Sequence, residues 1–399
     1  MKTKRFASVV SLLLILTILL LSLSALSGCA EQALTPTPAK APAEAAPTKA
    51  PAQPSPTMAA APAQPSPTVA AAPSPQAKAA EPAAAAKSTT SQFEIIRAAS
   101  DKYLSSDKAK NSNMLAQDLY YNLNDGNPAN DPFIVSVRAP ADYEKGHIPG
   151  AINIPFREVA KKENLARLPK DRQVVVYCYT GQTGSQITAI LNTLGYDVKN
   201  LRYGMASWTK DENVAPNRLD PEKTVKDYKT ETTVNTPTKT YDFPVVNNTS
   251  SVDEFEIIRA AADAYLSSDR GKSPNIAAQD LFYNLNDGNK ANDPQVVSVR
   301  AKADYELGHI PSAINIPWQE VAKKENLAKL QPDKPIAAYC YTGHTGSQAS
   351  AVLNLLGYTS QNLSHGIGSW TKDMAVVKTR FDNSKDSKDY KFVSGPNPS

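Results

Sequence analysis

The feature of this sequence that most constrains its fold is an internal duplication. Residues 93–99 recur as residues 255–261, and this offset of 162 residues continues without a gap. In one stretch, 141–166 against 303–328, 22 of 26 positions are identical. A period of this length is that of a domain rather than of a solenoid repeat. The sequence therefore predicts two globular domains of similar fold.

The rest of the chain surrounds these two domains. We assign residues 92–212 and 253–376 to the domains, each with an extra N-terminal helix. Residues 213–252 are then a linker or arm, and residues 377–399 a C-terminal tail. Residues 29–91 hold 13 of the 31 prolines and no aromatic residue. Such a composition cannot bury enough apolar surface to offset its ordering entropy, so we expect a disordered Ala/Pro-rich linker.

Residues 1–28 have the pattern of an export signal. A basic start precedes an apolar stretch over residues 9–26, and the sequence then reads Leu-Ser-Gly before Cys29. This ending resembles the bacterial lipoprotein signal, in which the cysteine receives a diacylglycerol and becomes the N-terminus after cleavage. The resemblance implies lipidation at Cys29, membrane attachment through the N-terminal lipid and an extracytoplasmic location. An uncleaved signal anchor is the alternative and would also tether the chain.

Composition excludes several other classes of function. Lys and Arg number 43 against 39 Asp and Glu, a net charge of +4, and loss of a basic signal peptide brings the chain closer to neutral. Affinity for nucleic acid rests largely on phosphate contacts from basic residues, so we expect no nucleic-acid partner. Three cysteines and four histidines, without ligand spacing between them, predict neither a disulfide framework nor a metal site. Nothing predicts a cofactor.

Within one repeat, strands alternate with helices. Helical spacing predicts helices over residues 93–104, 156–165 and 185–194. The apolar, β-branched run at 173–177 predicts a central buried strand. This alternation favours a parallel α/β sheet in each domain.

Each repeat places its cysteine, Cys178 or Cys340, directly after this central strand. A short glycine-containing loop and a helix follow. Inward-pointing backbone N–H groups and the positive end of the helix favour the thiolate, which is the nucleophile. A small buried cysteine that ends a core strand is the alternative. The candidate anion-binding loops consist of Tyr179, Thr180, Gly181, Gln182, Thr183 and Gly184, and of Tyr341, Thr342, Gly343, His344, Thr345 and Gly346.

Together, these features resemble a rhodanese domain in each repeat. The first repeat carries Ser-Val-Arg138, Gly-His-Ile-Pro-Gly at 146–150, the cysteine loop, Leu-Gly-Tyr196 and an ending from Gly204 to Trp208; the second has Ser312 in place of the second glycine of its Gly-His-Ile-Pro loop. The family implies a roughly five-stranded parallel sheet flanked by helices. It also implies transfer of sulfane sulfur from a donor such as thiosulfate, through a cysteine persulfide, to a thiol or cyanide. Cys178 and Cys340 would then hold the persulfide, and the loops would cradle a small sulfur-containing anion.

Four further residues match positions common in the family. Arg138 and Arg300 are expected to support the loops, through an ion pair to Glu144 or Glu306 rather than by substrate contact. For the histidines of the Gly-His-Ile-Pro segments, at 147 and 309, we prefer a structural hydrogen-bonding role over acid–base work.

Departures from the family leave the donor open. The residue after the cysteine, often Arg, is Tyr179 or Tyr341, and the sixth loop position, also often Arg, is Thr183 or Thr345. Neither loop carries a cation for the far end of thiosulfate. The alternative function is a non-catalytic sulfur-binding or sensing module that delivers persulfide to a partner. The sequence names no protein that accepts the sulfur.

Phosphatase or arsenate reductase activity is disfavoured. Those sites place an arginine six positions after the cysteine, and Gly184 and Gly346 stand there.

Overall fold

The computed structural model describes residues 90–398, which form two α/β domains. The predicted signal peptide, the lipidation site Cys29 and nearly all of the Ala/Pro-rich linker lie outside the described residues. Within the described part of the chain, no helix is both long enough and apolar enough to cross a membrane.

The two domains contain the same elements in the same order. The first domain consists of α1 (Gln92–Leu104), α2 (Asp107–Lys110), β1 (Asn113–Met114), α3 (Ala116–Leu123), β2 (Phe133–Ser136), α4 (Pro140–Lys145), β3 (Ile152–Asn153), a 3-10 turn (Phe156–Glu158), α5 (Lys162–Leu165), β4 (Val174–Tyr177), α6 (Gln182–Thr193), β5 (Val198–Leu201) and α7 (Met205–Trp208). The second consists of α8 (Glu254–Ser267), α9 (Asp269–Lys272), β6 (Asn275–Ile276), α10 (Ala278–Asn286), β7 (Gln295–Ser298), α11 (Lys302–Leu307), β8 (Ile314–Asn315), a 3-10 turn (Trp318–Glu320), α12 (Lys324–Leu327), β9 (Ile336–Tyr339), α13 (His344–Leu355), β10 (Ser360–Leu363) and α14 (Ile367–Trp370), followed by α15 (Met374–Val377) and α16 (Asn383–Asp386).

Each domain has a five-stranded parallel sheet, which confirms the predicted fold class. The strand orders are β1-β5-β4-β2-β3 and β6-β10-β9-β7-β8. In the first domain, α6 covers one face of the sheet, and α3 and α7 cover the other. The central strands β4 and β9 are buried along their whole length, as expected for strands covered on both faces.

The predicted helix over residues 156–165 is wrong. The structure has a 3-10 turn and then α5, and between them Lys161 is extended, with φ −69° and ψ 142°. Val159 and Ala160 are 1% and 0% exposed. The chain leaves the helical path here because this places both side chains in the core.

The extra N-terminal helices lie at the interface between the domains. Ser91 and Asp253 cap them by accepting N–H groups from their first turns. Tyr103 of α1 donates its hydroxyl to Gln348 of α13 at 2.7 Å, and Tyr265 of α8 donates to Gln186 of α6. Helices α6 and α13 also pack directly against each other. Each extra helix therefore joins the two domains.

The arm and the tail are exchanged between the domains. The part of the arm around Tyr228 binds the second domain, where Tyr228 stacks on Phe282 at 4.0 Å. The tail that follows the second domain binds the first, where Tyr390 stacks on Tyr120 at 3.9 Å. The backbone N–H of Tyr390 also donates to the carbonyl of Trp208 at 2.7 Å. Each domain is thus completed by the segment that follows the other.

Candidate active site

The two cysteines lie at the carboxyl ends of the central strands, where open α/β sheets bind their ligands. Cys178 follows β4 and Cys340 follows β9, and each residue is 2% exposed. Both belong to the apolar core cluster formed between the sheets and α6 and α13. The predicted loops therefore surround sulfur atoms that are nearly withdrawn from solvent.

Each predicted loop is part turn and part helix. Gly181 and Gly343 have φ of 79° and 88°, a left-handed conformation that favours glycine. This turn starts α6 and α13 immediately afterwards, three residues earlier than the predicted helix start at Ser185. Thr183 and Thr345 lie in the first helical turn and are partly exposed. The sulfur atoms thus lie next to helix N-termini, whose partial positive charge favours anions.

One amide of the predicted cradle reaches a sulfur atom. The N–H of Gly343 donates to Cys340 Sγ at 3.1 Å. Among the hydrogen bonds of residues 90–398, none reaches Cys178 Sγ, so the two sites are similar but not identical.

Glycines allow the close approach of the neighbouring segments. A Cβ atom at Gly184 would lie 2.5 Å from Asn200 Oδ1, and one at Gly346 would lie 2.5 Å from Asn362 Oδ1. A Cβ atom at Gly204 would lie 2.5 Å from the carbonyl oxygen of Cys178. A side chain at any of these positions would push the helix or the wall of the site away from the cysteine.

The expected ion pairs of Arg138 and Arg300 are wrong. Both guanidinium groups are buried and donate to backbone carbonyls, Arg138 to Val214 and Gly146. Arg300 donates to the equivalent carbonyls, those of Val376 and Gly308.

The surroundings of these arginines explain the difference. Arg138 lies over the rings of Tyr177 and Tyr179, with its Cζ atom 5.5 and 5.7 Å from the ring centroids. Glu144 is exposed, and Glu306 pairs with Lys302 at the surface. Backbone carbonyls are therefore the acceptors that the buried guanidinium groups find in the interior. The arginines fasten the segment after α7 or α14 to the domain instead of pairing with a carboxylate.

The tyrosine after each cysteine is tied to an aspartate. Tyr179 donates its hydroxyl to Asp142 at 2.6 Å, and Tyr341 donates to Asp304. Burial and then the neighbouring carboxylate raise the pKa of Tyr179 to about 12, so this residue is neutral at physiological pH. The position at which the family often has an arginine therefore supplies no positive charge.

His147 and His309 have the structural role that the sequence favoured. Nδ1 of His147 bonds the carbonyl of Tyr143 at 2.9 Å, and its ring stacks on Tyr143 at 3.8 Å. His309 makes the equivalent bond to Tyr305 at 2.8 Å. Burial lowers the pKa of His147.

Gln182 and His344 enter the opposite domain. The Nε2 atom of His344 accepts the backbone N–H of Tyr203 at 3.1 Å, and Oε1 of Gln182 accepts the backbone N–H of His365 at 3.0 Å. Each side chain also bonds a threonine of its own loop, Thr342 or Thr180. We call these two residues the interdomain clasp. One signal of this clasp is present in the sequence, since this position is the main difference between the two cysteine loops.

The clasp makes stability depend on pH. Burial, and then the charge of Arg202 and the proximity of His365, lower the pKa of His344 to about 3; burial lowers that of His365 to about 4. An unfolded histidine titrates near pH 6.5, so below that pH the unfolded chain binds protons that the native protein does not. The stability that each neutral histidine contributes is therefore complete above pH 6.5. It is lost as the pH falls from there towards the pKa of that histidine in the folded protein.

His344→Gln should flatten this dependence, because the first domain already uses glutamine at the equivalent position. Between pH 6 and 5, the free energy of unfolding of the wild type should fall more steeply than that of the variant, by about 1.4 kcal/mol per pH unit. Urea unfolding at several pH values measures both slopes. Equal slopes would show that His344 is not held neutral in the native protein.

Fold and site together define a protein class: tandem α/β domains, each with a cysteine at the carboxyl end of the central parallel strand. A family model described as a rhodanese-like domain matches residues 115–211 and again residues 279–373. A sulfurtransferase of Allochromatium vinosum is 37% identical over 81 residues, covering 20% of this chain and 74% of that protein. The chain belongs to the rhodanese-like family and carries two such domains in tandem.

Two other relatives show the same similarity. The thiosulfate sulfurtransferase PspE of Escherichia coli is 40% identical over 62 residues, covering 16% of this chain and 60% of that protein. A protein of Saccharopolyspora erythraea with a provisional assignment as a thiosulfate sulfurtransferase is 27% identical over 277 residues, covering 60% of this chain and 86% of that protein. Of two further relatives the chain covers only 35% and 20%. Similarity to those proteins is confined to part of their length.

Proposed function

We propose that this protein is a sulfurtransferase that moves sulfane sulfur through a persulfide on Cys340 and on Cys178. The observation that carries the proposal is the hydrogen bond from the Gly343 N–H to Cys340 Sγ at the carboxyl end of the central strand. An N–H group aimed at sulfur, beside the N-terminus of α13, stabilises a thiolate and also the terminal sulfur of a persulfide. Membership of the rhodanese-like family supports the same reaction.

The reaction consists of two displacements on sulfur and needs no redox partner. With thiosulfate, the cysteine thiolate attacks the sulfane sulfur, a new S–S bond forms to the cysteine, and the S–S bond of thiosulfate breaks. Sulfite leaves with the electron pair. A thiolate or cyanide acceptor then attacks the outer sulfur and releases the cysteine as thiolate. This is covalent catalysis in two half-reactions.

The donor class follows from the charges around the site. Tyr179 is neutral and tied to Asp142, and Thr183 carries no charge. The loops therefore offer amide N–H groups to a donor, and no cation for a distant sulfonate. We infer that persulfides and polysulfides, whose charge lies on the reacting sulfur chain, are better donors than thiosulfate.

Two observations favour a second candidate, a module that binds sulfur without efficient turnover. Both cysteines are 2% exposed, and neither loop carries a cation. Such a module would take up one sulfur per cysteine and release it only to a partner protein.

Mass spectrometry distinguishes these functions. The protein is incubated with thiosulfate, polysulfide or a low-molecular-weight persulfide, and the adduct of one added sulfur atom is assigned to Cys178 or Cys340 in peptides. The proposed enzyme forms the adduct and loses it to added cyanide over many cycles, with thiocyanate released in excess of protein. An adduct that forms once and persists supports the binding module. Absence of any adduct at either cysteine contradicts both.

We also propose that Cys29 carries a lipid and anchors the protein at an extracytoplasmic membrane face. Support comes from the basic start, the apolar stretch and the Leu-Ser-Gly-Cys29 ending. In an expressing bacterium, the wild type should partition into detergent, and Cys29→Ala should retain an uncleaved N-terminus. Identical partitioning and identical mass at the N-terminus in both proteins would refute lipidation.

A further inference from the structure

The two cysteine loops contact each other across the interface between the domains. The inference drawn from this contact rests on the proposed function and extends it. Gln182 packs on Gly343, where a Cβ atom would lie 2.8 Å from Gln182 Oε1. His344 packs on Gly181, where a Cβ atom would lie 2.6 Å from His344 Nε2. The glycine three residues after each cysteine is therefore covered by a side chain of the opposite domain.

Gly343 is also the residue whose amide holds the sulfur. Its N–H donates to Cys340 Sγ at 3.1 Å, and Gln182 lies against the same residue from the first domain. The oxygen of Gln182 also accepts the N–H of His365 at 3.0 Å and the side-chain amide of Asn362 at 3.1 Å. Gln182 is 4% exposed, and its partners in the second domain leave it little freedom.

We propose that Gln182 and His344 are positioning residues that act in trans, each fixing the cysteine loop of the opposite domain. Gln182 holds the Gly343 amide towards Cys340, and His344 holds Gly181 and the Tyr203 backbone beside Cys178. Neither side chain bonds the cysteine of its own domain. The two sites are thus coupled through the clasp, and each domain needs the other for a fully ordered loop.

The test is the reactivity of each thiol in the full-length protein. Iodoacetamide modification of Cys178 and Cys340 is followed separately by peptide mass spectrometry. Gln182→Ala should slow modification of Cys340 about fivefold, because the Gly343 amide no longer stabilises its thiolate, and should leave Cys178 within about twofold. Gln182→His, the residue that the second domain uses at this position, should restore the rate at Cys340.

Two controls separate the trans effect from other causes. Thr180→Val removes the bond that Gln182 makes within its own loop, and it should leave Cys340 unchanged. Tyr103→Phe removes a different interdomain hydrogen bond, the one to Gln348, which involves neither Gln182 nor His344, and should change neither cysteine. In the reciprocal experiment, His344→Ala should slow the modification of Cys178, by less than Gln182→Ala slows that of Cys340. His344→Gln should restore the rate at Cys178.

The outcomes that overturn the inference are specific. Gln182→Ala could leave Cys340 unchanged or slow both cysteines equally, which would mean that Gln182 is only structural. A faster reaction at Cys340, or no rescue by histidine, would show that the side chain shields the thiol rather than positions its amide. Alkylation requires no sulfur donor, so this test can succeed or fail whether or not the protein transfers sulfur.

Discussion

Replacing both Cys178 and Cys340 by alanine is expected to reduce sulfur transfer to the uncatalysed background, a loss of at least about a thousandfold. The thiolates form the covalent intermediate, and no other cysteine lies within residues 90–398. Of the single variants, Cys340→Ala should lose more activity than Cys178→Ala, because the N–H of Gly343 donates to Cys340 Sγ. Thiocyanate or sulfide release, measured with polysulfide as donor, gives the three rates.

The control for this experiment is Cys29→Ala, which lies outside both domains and should keep full activity. Unfolding curves of all four variants check that the fold is retained. Undiminished transfer by the double variant would remove the persulfide mechanism altogether. Equal loss in both single variants would show that the Gly343 amide has no effect on rate.

The fold was predictable because its signals are local and occur twice. The apolar run at 173–177 and the following glycines predict a buried strand, a turn and a helix from short stretches of chain, and the structure has β4 and α6 there. The same reasoning placed the helix start at Ser185. That start is three residues too late, because a helix start set by a left-handed Gly181 depends on backbone conformation that residue types indicate only weakly.

The polar contacts around the two sites were not predictable from local pattern, whether they join the domains or lie within one of them. Gln182, His344 and Arg138 all have polar partners on segments distant in sequence, and charge alone suggested Glu144 for Arg138. Burial decides these partners: where no carboxylate enters the core, backbone carbonyls satisfy the guanidinium.

One feature of the sequence does indicate that the arm and the tail pack on the domains. Lys-Asp-Tyr-Lys occurs at 226–229 and again at 388–391, at the same offset of 162 residues, inside the segments assigned to a linker and a tail. A motif that repeats outside the predicted domains indicates a docked segment. The structure shows that each copy stacks its tyrosine on aromatic residues of the opposite domain.

Removing residues 388–399 should destabilise the first domain by about 4 kcal/mol, because Tyr390 and Phe392 leave a surface that they partly cover. The truncation also removes the carbonyl of Lys391, which accepts Trp208 Nε1 at 2.9 Å, and the two backbone bonds between His147 and Val393. Hydrogen exchange should show the loss around Tyr120 and Trp208 and much less of it in the second domain.

Matched substitutions separate the tail's packing from the shortening of the chain. Tyr390→Ala should reproduce about half of the destabilisation in the first domain, and Tyr390→Phe, which keeps the ring on Tyr120, should lie within about 0.5 kcal/mol of the wild type. Tyr228→Ala in the arm should weaken protection around Phe282 and Trp370 instead. If the truncation and Tyr228→Ala reduce protection from hydrogen exchange in the same peptides, the tail and the arm do not each stabilise the domain on which they pack.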